Sequence, residues 1–390
     1  MILSEVSENL TASIIRKVFN KSLEYEDVIS FTLGEPDFTA SEAVVEAGCQ
    51  AMKEGKTKYS ENAGIFSLRK AISEHLKKFS GLEYDPKTQI SVTCGAMEAL
   101  FLTFKSILNP NDEVIILSPN WPNYTQQVIM CGGKPIFVVC KEENDFVVDV
   151  NDLEALITPK TKAIMLNSPT NPTGCVIDFK TLSNIAEIAN KYDLLILSDE
   201  VYKRIIFDDI DYYSIVNFPG MKDRTIIIDS LSKSHAMTGW RIGYAAGPEP
   251  IISLVTKLQE NVAACAPMVS QYAAIAAYEC TDDYTNFMVH QYKDRRDYIE
   301  KRIKKIPNVS YQGTKGTFYA FINISQLGMT SEDFVLKFLD SQKVITVPGT
   351  AFGKAGEGYI RISFAAAMES IIKGMDRLEA FVSEINNKNE

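Results

Sequence analysis

Apolar runs of strand length alternate with amphipathic segments through the middle of the chain. Six runs are rich in valine and isoleucine and indicate buried strands: 89–93, 112–118, 134–139, 162–167, 193–200 and 224–229. The amphipathic segment 180–193 repeats apolar residues at helical spacing on one face, at Leu182, Ile185, Ile188 and Ala189. Continuous apolar strands that alternate with helices predict a mostly parallel sheet with helices on both faces.

The C-terminal part of the chain has a different pattern, which predicts a smaller α/β domain. Its predicted elements are helices at 291–306 and 331–342 and strands at 316–324 and 358–365. We therefore expect a large domain over residues 31–285 and a small domain over residues 286–390. The N-terminal segment, residues 1–30, is expected to pack on the small domain or on a partner subunit.

The composition is that of a globular protein and narrows the choice of partners. Of the 390 residues 46% are hydrophobic and 23% charged, and the net charge of −10 disfavours nucleic acid or an anionic membrane as the main partner. The seven cysteines contain no C-x-x-C pair, so we expect free thiols in a reducing compartment, and the three scattered histidines indicate no metal site. Because we find neither a secretory signal nor an apolar run of ~18 residues, the expected location is the cytoplasm.

Polar residues follow several of the predicted strands. In a mostly parallel sheet, ligands bind at the carboxyl ends of the strands, so these residues are candidates for a site. Gly95 opens a helix after the first run and leaves backbone N–H groups that suit a phosphate, although a simple turn explains it equally well. Trp121 follows the second run, either as a packing residue or as a flat face for an aromatic ligand. Asn171 lies in the turn SPTNPTG after the fourth run.

Charged residues follow the last two strands. Asp199 and Glu200 end the fifth run, where a buried carboxylate is costly unless it meets a cation or caps a helix starting at Val201. We interpret Glu200 as a helix-start or solvent residue. Lys233 follows the sixth run, and a buried lysine without a partner loses its proton readily, which suits a Schiff base. Arg241 carries the planar fork that suits phosphate.

Together these strand ends supply a phosphate cradle, an aromatic face, a carboxylate, an amide and an amine. A flat, phosphorylated aldehyde with a basic ring nitrogen needs all five groups, and pyridoxal 5'-phosphate is such a cofactor. The residues therefore predict a pyridoxal-phosphate site at the carboxyl edge of the sheet.

Six motifs give the chain a resemblance to the class I and II aminotransferases, which are fold-type I pyridoxal-phosphate enzymes. The motifs are LGEPDF, GKTKYSENAG, NSPTNPTG, SDEVY, SLSKSHAMTGWRIGY and YIRISF. The resemblance extends from about Phe31 to Phe364 and is strongest to the bacterial aspartate and aromatic branch. It implies a seven-stranded, mostly parallel sheet between helices, a smaller α/β domain, and a homodimer with shared active sites. The implied activity is ping-pong transfer of an amino group between an L-amino acid and a 2-oxo acid.

The resemblance also implies roles for individual residues. Lys233 matches the lysine that holds the cofactor covalently and moves the substrate Cα proton. Asp199 matches the carboxylate paired with the pyridine nitrogen, and Tyr202 matches a group that donates to the ring hydroxyl. These three residues are the predicted catalytic set.

Other positions match groups that bind the cofactor or the substrate. Tyr59 matches a tyrosine that reaches the phosphate of the neighbouring subunit, and Arg361 matches the arginine that clamps the substrate α-carboxylate. Trp121 matches the aromatic residue stacked on the ring and, with Asn171, also contacts the substrate. The remaining matches are Asn171 at the ring hydroxyl, Ala96, Met97, Ser230 and Arg241 around the phosphate, and Gly34 at the substrate carboxylate.

Met97 departs from the pattern of relatives specialised for aspartate, which carry a lysine at this place for the side-chain carboxylate. A thioether does not pair with a carboxylate, so a dedicated aspartate specificity is disfavoured. Thr11 and Ser13 are candidates for polar contacts with the substrate. We expect an aromatic, neutral or aspartate amino acid as one substrate and glutamate as the amino donor.

Two further functions are compatible with this fold. A pyridoxal-phosphate lyase that cleaves C–S bonds by β-elimination is the alternative, and a regulator with a degenerate aminotransferase module is a remote one. The regulator is disfavoured because every catalytic position is intact and no DNA-binding domain fits before Phe31. His235 is interpreted as structural, and GTAFGKA (349–355) is rejected as a nucleotide loop because its glycine spacing and its alanine do not fit.

Overall fold

The computed structural model describes residues 4–8, 10 and 14–389. Thr11 and Ser13, which we predicted as polar contacts for the substrate, lie outside the described residues. Twelve strands form three sheets in the described chain. The strands are β1 Ile29–Ser30, β2 Ile90–Thr93, β3 Glu113–Ser118, β4 Lys134–Val139, β5 Thr161–Asn167, β6 Leu195–Asp199, β7 Thr225–Ser230, β8 Gly243–Ala246, β9 Tyr319–Asn323, β10 Val344–Ile345, β11 Val347–Pro348 and β12 Tyr359–Ser363.

Fourteen α-helices connect and cover these sheets over the same residues. They are α1 Glu5–Glu8, α2 Ile14–Ser22, α3 Glu42–Lys53, α4 Phe66–Ser80, α5 Ala96–Ile107, α6 Pro122–Met130, α7 Val150–Ala155, α8 Phe179–Lys191, α9 Leu231–Ser234, α10 Glu249–Val262, α11 Met268–Glu279, α12 Asp283–Ile303, α13 Ser331–Gln342 and α14 Met368–Asn389. On α8 the four apolar residues of the predicted face are buried, as expected for the inner stripe of a helix on a sheet.

The largest sheet has seven strands in the order β2-β8-β7-β6-β5-β3-β4. All six predicted runs are strands of this sheet, and only β8 runs antiparallel to its neighbours β2 and β7. The predicted mostly parallel seven-stranded sheet is therefore confirmed. Its topology places the carboxyl ends of β5, β6 and β7 side by side, with Asn167 opposite Asp199 in the register of β5 and β6.

The C-terminal part of the chain forms a second sheet, with the order β11-β12-β9 and antiparallel pairing. The predicted helix at 331–342 is α13, and the predicted helix at 291–306 is the last part of α12. β1 pairs in parallel with β10, and Val18 of α2 joins the hydrophobic cluster of this C-terminal part. The N-terminal segment thus contacts the C-terminal elements, while the boundaries near residues 30 and 285 stay predictions.

The described chain contains free thiols at all seven cysteine positions. Within the described residues, no group of three or more histidine, cysteine or carboxylate side chains lies close enough to hold a metal ion. In the same part of the chain, every helix is too short or too polar to cross a membrane.

Candidate active site

A cavity of about 570 Å³ lies at the carboxyl ends of β5, β6 and β7. Residues of β9, β12 and α2 close its other side. Eleven of the twelve predicted site residues line this one cavity: Gly34, Ala96, Met97, Trp121, Asn171, Asp199, Tyr202, Ser230, Lys233, Arg241 and Arg361. The twelfth, Tyr59, lies outside it with 88% of its surface exposed. The sheet edge that the sequence predicted as a site is therefore the edge on which these residues meet.

Lys233 lies in the short helix α9, directly after β7. Ser230 begins this helix, and its hydroxyl accepts a hydrogen bond from the Ser232 backbone N–H at 3.4 Å. The Lys233 ammonium donates to the carbonyl oxygen of Gly34 at 2.5 Å. Burial lowers the pKa of Lys233 to about 8, against the opposing effect of the Glu35 carboxylate. The lowered pKa makes Lys233 easier to deprotonate than an exposed lysine, and about a tenth of it is a free amine at pH 7.

Asp199 ends β6 and is 3% exposed. Its carboxylate accepts from the Tyr124 hydroxyl at 2.6 Å and from the Val201 N–H at 3.2 Å. Burial raises the pKa of Asp199 to about 7, although the Tyr124 hydrogen bond acts in the other direction. Both described partners are neutral, and Val201 begins a turn rather than a helix, so the expected helix cap is wrong, while the expected cation stays a prediction.

Asn167 fixes the loop that carries Asn171. Its side-chain amide donates to the carbonyl oxygen of Asp199 at 3.0 Å, and its side-chain oxygen accepts from the Asn171 N–H at 3.0 Å. The end of β5 is thereby tied to the end of β6. This places the Asn171 side chain in the cavity next to Arg361, whose Nη1 lies 3.2 Å from Asn171 Oδ1.

Arg361 is a fully enclosed guanidinium on β12. Its Nη2 donates to the carbonyl oxygen of Thr32 at 2.6 Å, and its plane lies 4.3 Å from the ring centre of Tyr319. Burial lowers the pKa of Arg361 from its usual value, yet an arginine remains charged at any physiological pH. Its Nε has no hydrogen-bond partner among the described residues. The fork retains donors for an incoming carboxylate.

Tyr319 links three parts of the cavity wall. Its hydroxyl lies 2.9 Å from the Tyr202 hydroxyl, and its ring covers Arg361. A Cβ atom added to Gly34 would lie 2.5 Å from the same hydroxyl. The loop at Gly34 can therefore approach Tyr319 only because residue 34 has no side chain.

The opposite end of the cavity is suited to an anion. Gly95 precedes α5 with a φ of 88°. Among the described residues no side chain caps this helix, so the backbone N–H groups of Ala96 and Met97 have no side-chain acceptor. A Cβ at Gly95 would lie 2.5 Å from Nη2 of Arg241, which explains the glycine. The residues at the helix N-terminus, Arg241 and Ser230 line the same cavity, and their donors are of the kind that suits an anion.

Met97 is an uncharged residue of the cavity lining. Its sulfur accepts from the Asn123 amide at 3.4 Å, and its carbonyl oxygen accepts from Gln127 at 2.9 Å. Ile15 and Phe19 of α2 line the same cavity. Trp121 precedes α6 and meets the Tyr124 ring edge-on, with 5.3 Å between ring centres.

Sequence reasoning missed several residues of this site, among them Asn167, Tyr124 and Tyr319. Asn167 and Tyr124 lie in segments we had identified, at the end of a predicted strand and three residues after Trp121. Tyr319 lies in the predicted strand 316–324, where an aromatic residue gives no signal beyond core packing.

Glu200 was wrongly interpreted as a helix-start or solvent residue. It is 2% exposed, accepts from the Ser214 hydroxyl at 2.5 Å, and lies 3.6 Å from the Lys203 ammonium. His235 does not line the cavity, and its Nδ1 lies 2.8 Å from the Ser234 hydroxyl. Its burial lowers its pKa to about 4, which agrees with a structural role.

The sequence matches the family model of "Aminotransferase class I and II" over residues 26–373. The chain is 42% identical over 388 residues to an aromatic-amino-acid aminotransferase 2 of Thermococcus litoralis, covering 98% of this chain and 99% of the relative. It is 41% identical over 388 residues to an aspartate aminotransferase of Pyrococcus abyssi, with the same coverage.

Solved structures give the same result. An aromatic aminotransferase from Pyrococcus horikoshii superposes with a TM-score of 0.90 at 41% identity, over 94% of this chain and 98% of the other. An aspartate aminotransferase from Thermus thermophilus with maleate superposes with a TM-score of 0.93 at 32% identity, over 97% and 99% of the two chains. The similarity therefore extends over nearly the whole length of each protein.

Proposed function

This chain belongs to the class I and II aminotransferase family and transfers an amino group between amino acids and oxo acids, and we propose that it does so with pyridoxal 5'-phosphate on neutral or aromatic amino acids. The observation that carries the proposal is the placement of Lys233, Asp199 and Arg361 in one cavity beside a phosphate cradle. Glutamate is the proposed amino donor.

The donor and acceptor groups of the cavity fit this cofactor. Asp199 is a buried carboxylate whose described partners are neutral, so it can accept a hydrogen bond from a protonated ring nitrogen. The uncapped start of α5 and Arg241 fit a phosphate, and Lys233 supplies the amine for an aldehyde. The Trp121 indole lines the cavity between these groups and offers a flat face to the ring.

Pyridoxal phosphate, when bound, withdraws electrons from the substrate Cα if its ring nitrogen is protonated. Asp199 favours that protonation by its negative charge, and Tyr124 holds the carboxylate in place. Tyr202 and Asn171 contribute the hydroxyl and amide of the same wall. Lys233 is the proposed base and acid that moves the Cα proton, a role that its pKa of about 8 suits at physiological pH.

Arg361 is proposed to bind the α-carboxylate that amino acids and 2-oxo acids share. Its fork is anchored by the Thr32 carbonyl oxygen and by Asn171, so its orientation is fixed before a substrate arrives. Gly34 allows the backbone to approach the same place. One guanidinium therefore serves both half-reactions.

The substrate side chain is proposed to lie toward Ile15, Phe19 and Met97. These side chains give an apolar surface that favours aromatic and neutral amino acids. Arg16 lines the same mouth and provides a positive charge toward the side-chain carboxylate of glutamate. The names of the relatives include both aromatic and aspartate aminotransferases, so they do not decide between these substrates.

We also propose a homodimer in which Tyr59 completes the active site of the neighbouring subunit. The proposal rests on the family resemblance, and with 88% of its surface exposed on the single chain Tyr59 is accessible to a second copy. Its hydroxyl would add one donor to the phosphate cradle of the partner.

The proposal is tested by the visible absorption of the protein loaded with pyridoxal phosphate, before and after single L-amino acids are added. Glutamate and aromatic amino acids should remove the absorption band and yield one oxo acid per site. Aspartate should react more slowly. A response to aspartate alone would contradict the interpretation of Met97, and release of ammonia and pyruvate from cystathionine would instead establish a C–S lyase.

A further inference from the structure

A buried charged cluster lies behind the cavity wall. It consists of Lys203, Glu200 and Asp229, which are 4%, 2% and 6% exposed. The Lys203 ammonium lies 2.8 Å from Oδ2 of Asp229 and 3.6 Å from Oε2 of Glu200. Its remaining side faces the ring of Phe79, 5.1 Å from the ring centre. One buried cation is thus shared by two buried anions.

The two carboxylates have further partners, all of them uncharged. Asp229 accepts from the Tyr244 hydroxyl at 3.0 Å and from the Ser230 N–H at 2.7 Å. Glu200 accepts from the hydroxyls of Ser214 at 2.5 Å and Ser198 at 3.1 Å. Lys203 is therefore the cation in ion-pair contact with both carboxylates.

Each residue of the cluster is adjacent in the sequence to a residue that lines the cavity. Glu200 follows Asp199, Asp229 precedes Ser230, and Lys203 follows Tyr202. The Glu200 N–H also donates to the carbonyl oxygen of Ile228 at 2.9 Å, which ties the two strand ends together. Because successive side chains of a strand point to opposite faces, Asp199 faces the cavity while Glu200 faces the cluster.

Three carboxylates are therefore buried at the adjoining ends of β6 and β7. The pKa of Asp199 is raised to about 7, chiefly by burial and to a smaller extent by the negative charges of Asp229 and Glu200. Burial alone would lower the pKa of Lys203, but Asp229 and Glu200 outweigh this effect, so Lys203 is charged at neutral pH. The titratable groups that interact with Asp199 are Tyr124, Tyr202, Tyr212, Glu200, Asp229 and Lys233.

We propose that Lys203 is a positioning residue of the active site, whose ammonium neutralises Glu200 and Asp229 and so favours the ionised form of Asp199 that a cationic ring nitrogen needs. The same ion pairs hold Tyr202 and Ser230 at the cavity, since these residues adjoin the cluster. This inference rests on the proposed role of Asp199, but it concerns the charges of the protein itself. It can therefore be tested without cofactor or substrate.

The test is an infrared pH titration of the cofactor-free protein between pH 5 and 9, because a protonated carboxyl has a carbonyl band distinct from that of the carboxylate. The same titration of Asp199→Asn identifies the contribution of Asp199. The wild-type midpoint is expected near 7. Lys203→Met, which keeps the length but removes the charge, should raise the midpoint by about one unit or more. Lys203→Met/Asp229→Asn, which removes one charge of each sign, should return it close to the wild-type value.

Glu200→Gln is the second, independent variant, since it removes a negative charge and leaves Lys203 in place. It should lower the Asp199 midpoint and remain folded, because glutamine can still accept from Ser214. A purely structural role of Lys203 would change the melting temperature of the variants without moving the midpoint. A folded Lys203→Met with the wild-type midpoint would overturn the proposal, and so would an unchanged midpoint in Glu200→Gln if Lys203→Met does not fold.

Discussion

At the scale of single residues, the cavity holds charged groups in surroundings that disfavour their charge. Burial raises the pKa of Asp199 to about 7 and lowers that of Lys233 to about 8, so both groups change charge near neutral pH. A carboxylate whose pKa is higher in the folded than in the unfolded chain stabilises the fold most at low pH. That stabilisation is lost as the pH rises from about 4 through 7.

Asp199→Asn is therefore expected to stabilise the cofactor-free protein at pH 8. The pKa difference of about three units corresponds to at most about 4 kcal/mol in the free energy of unfolding, and relaxation of the site will reduce it. The gain should shrink as the pH falls and vanish near pH 4. Urea unfolding at several pH values measures it, with Asp152→Asn, an exposed aspartate of α7, as the control. If Asp199→Asn is no more stable than wild type at pH 8, the ionised Asp199 carboxylate does not destabilise the fold.

At the scale of elements, the site is made by the order of the strands. β5, β6 and β7 are neighbours in the sheet, although their ends are separated by 30 residues or more in the sequence. Asn167 and the Lys203 cluster then join these ends by hydrogen bonds and ion pairs. From the other side, β9 and β12 bring Tyr319 and Arg361, so the two sheets face each other across the cavity.

Gly34→Ala tests the contact between the loop after β1 and strand β9. Its Cβ would lie 2.5 Å from the Tyr319 hydroxyl, so the loop or the tyrosine must move away from Arg361. We expect the KM for amino acids and oxo acids to rise about tenfold or more, with a smaller effect on cofactor affinity.

Tyr319→Phe provides the matched control for this substitution. It removes the hydroxyl that the new Cβ would meet, and the next atom of the ring lies 3.5 Å away, an ordinary contact distance. The double variant Gly34→Ala/Tyr319→Phe should therefore recover part of the lost affinity relative to Gly34→Ala. If the losses of affinity in the two single variants simply add in the double variant, the contact between residues 34 and 319 is not the cause of the loss in Gly34→Ala.

The sequence predicted the elements whose physical signal is local. Strands β2 to β7 are continuous apolar runs, whereas β8 was missed because Gly243–Ala246 is short and contains no branched aliphatic residue. Asp199 and Lys233 were predicted because they follow buried strands. The hydrogen-bond partners of these side chains were not predicted. The Tyr124 hydroxyl and Asp199, for example, are 75 residues apart in the sequence and meet only in the folded chain. Glu200 was misinterpreted although Lys203 is only three residues further on, because the contact between them depends on the shape of a turn.

At the scale of the whole molecule, the N-terminal segment, the large sheet and the C-terminal sheet each contribute to one cavity. α2 supplies Ile15 and Phe19, the large sheet supplies the proposed cofactor site, and β12 supplies Arg361. Tyr59 is the predicted site residue that this arrangement leaves out. A second copy of the chain is the proposed source of that side chain.

Mixing two variants that each impair the site, at a limiting cofactor concentration, tests the shared site. Tyr59→Ala should weaken cofactor binding about tenfold, and Lys233→Ala should abolish turnover. When the two are unfolded and refolded together, half of the dimers are hybrids, and each hybrid has one site with both residues intact. At limiting cofactor the mixture should then recover about one quarter of the wild-type activity. Tyr59→Ala mixed with the double variant contains no intact Tyr59 and should gain no activity, and a lack of recovery in the first mixture would contradict a tyrosine supplied by the partner.

The most direct test of the central claim is to locate the covalently bound cofactor. The protein is incubated with pyridoxal 5'-phosphate, reduced with borohydride, digested and analysed by mass spectrometry. The added mass is expected on the peptide that contains Lys233, and the yield should rise with a midpoint near pH 8, in keeping with the lowered pKa of that lysine. Attachment at a different lysine with Lys233 unmodified, or no attachment at all, would contradict the account of this cavity as a pyridoxal-phosphate site.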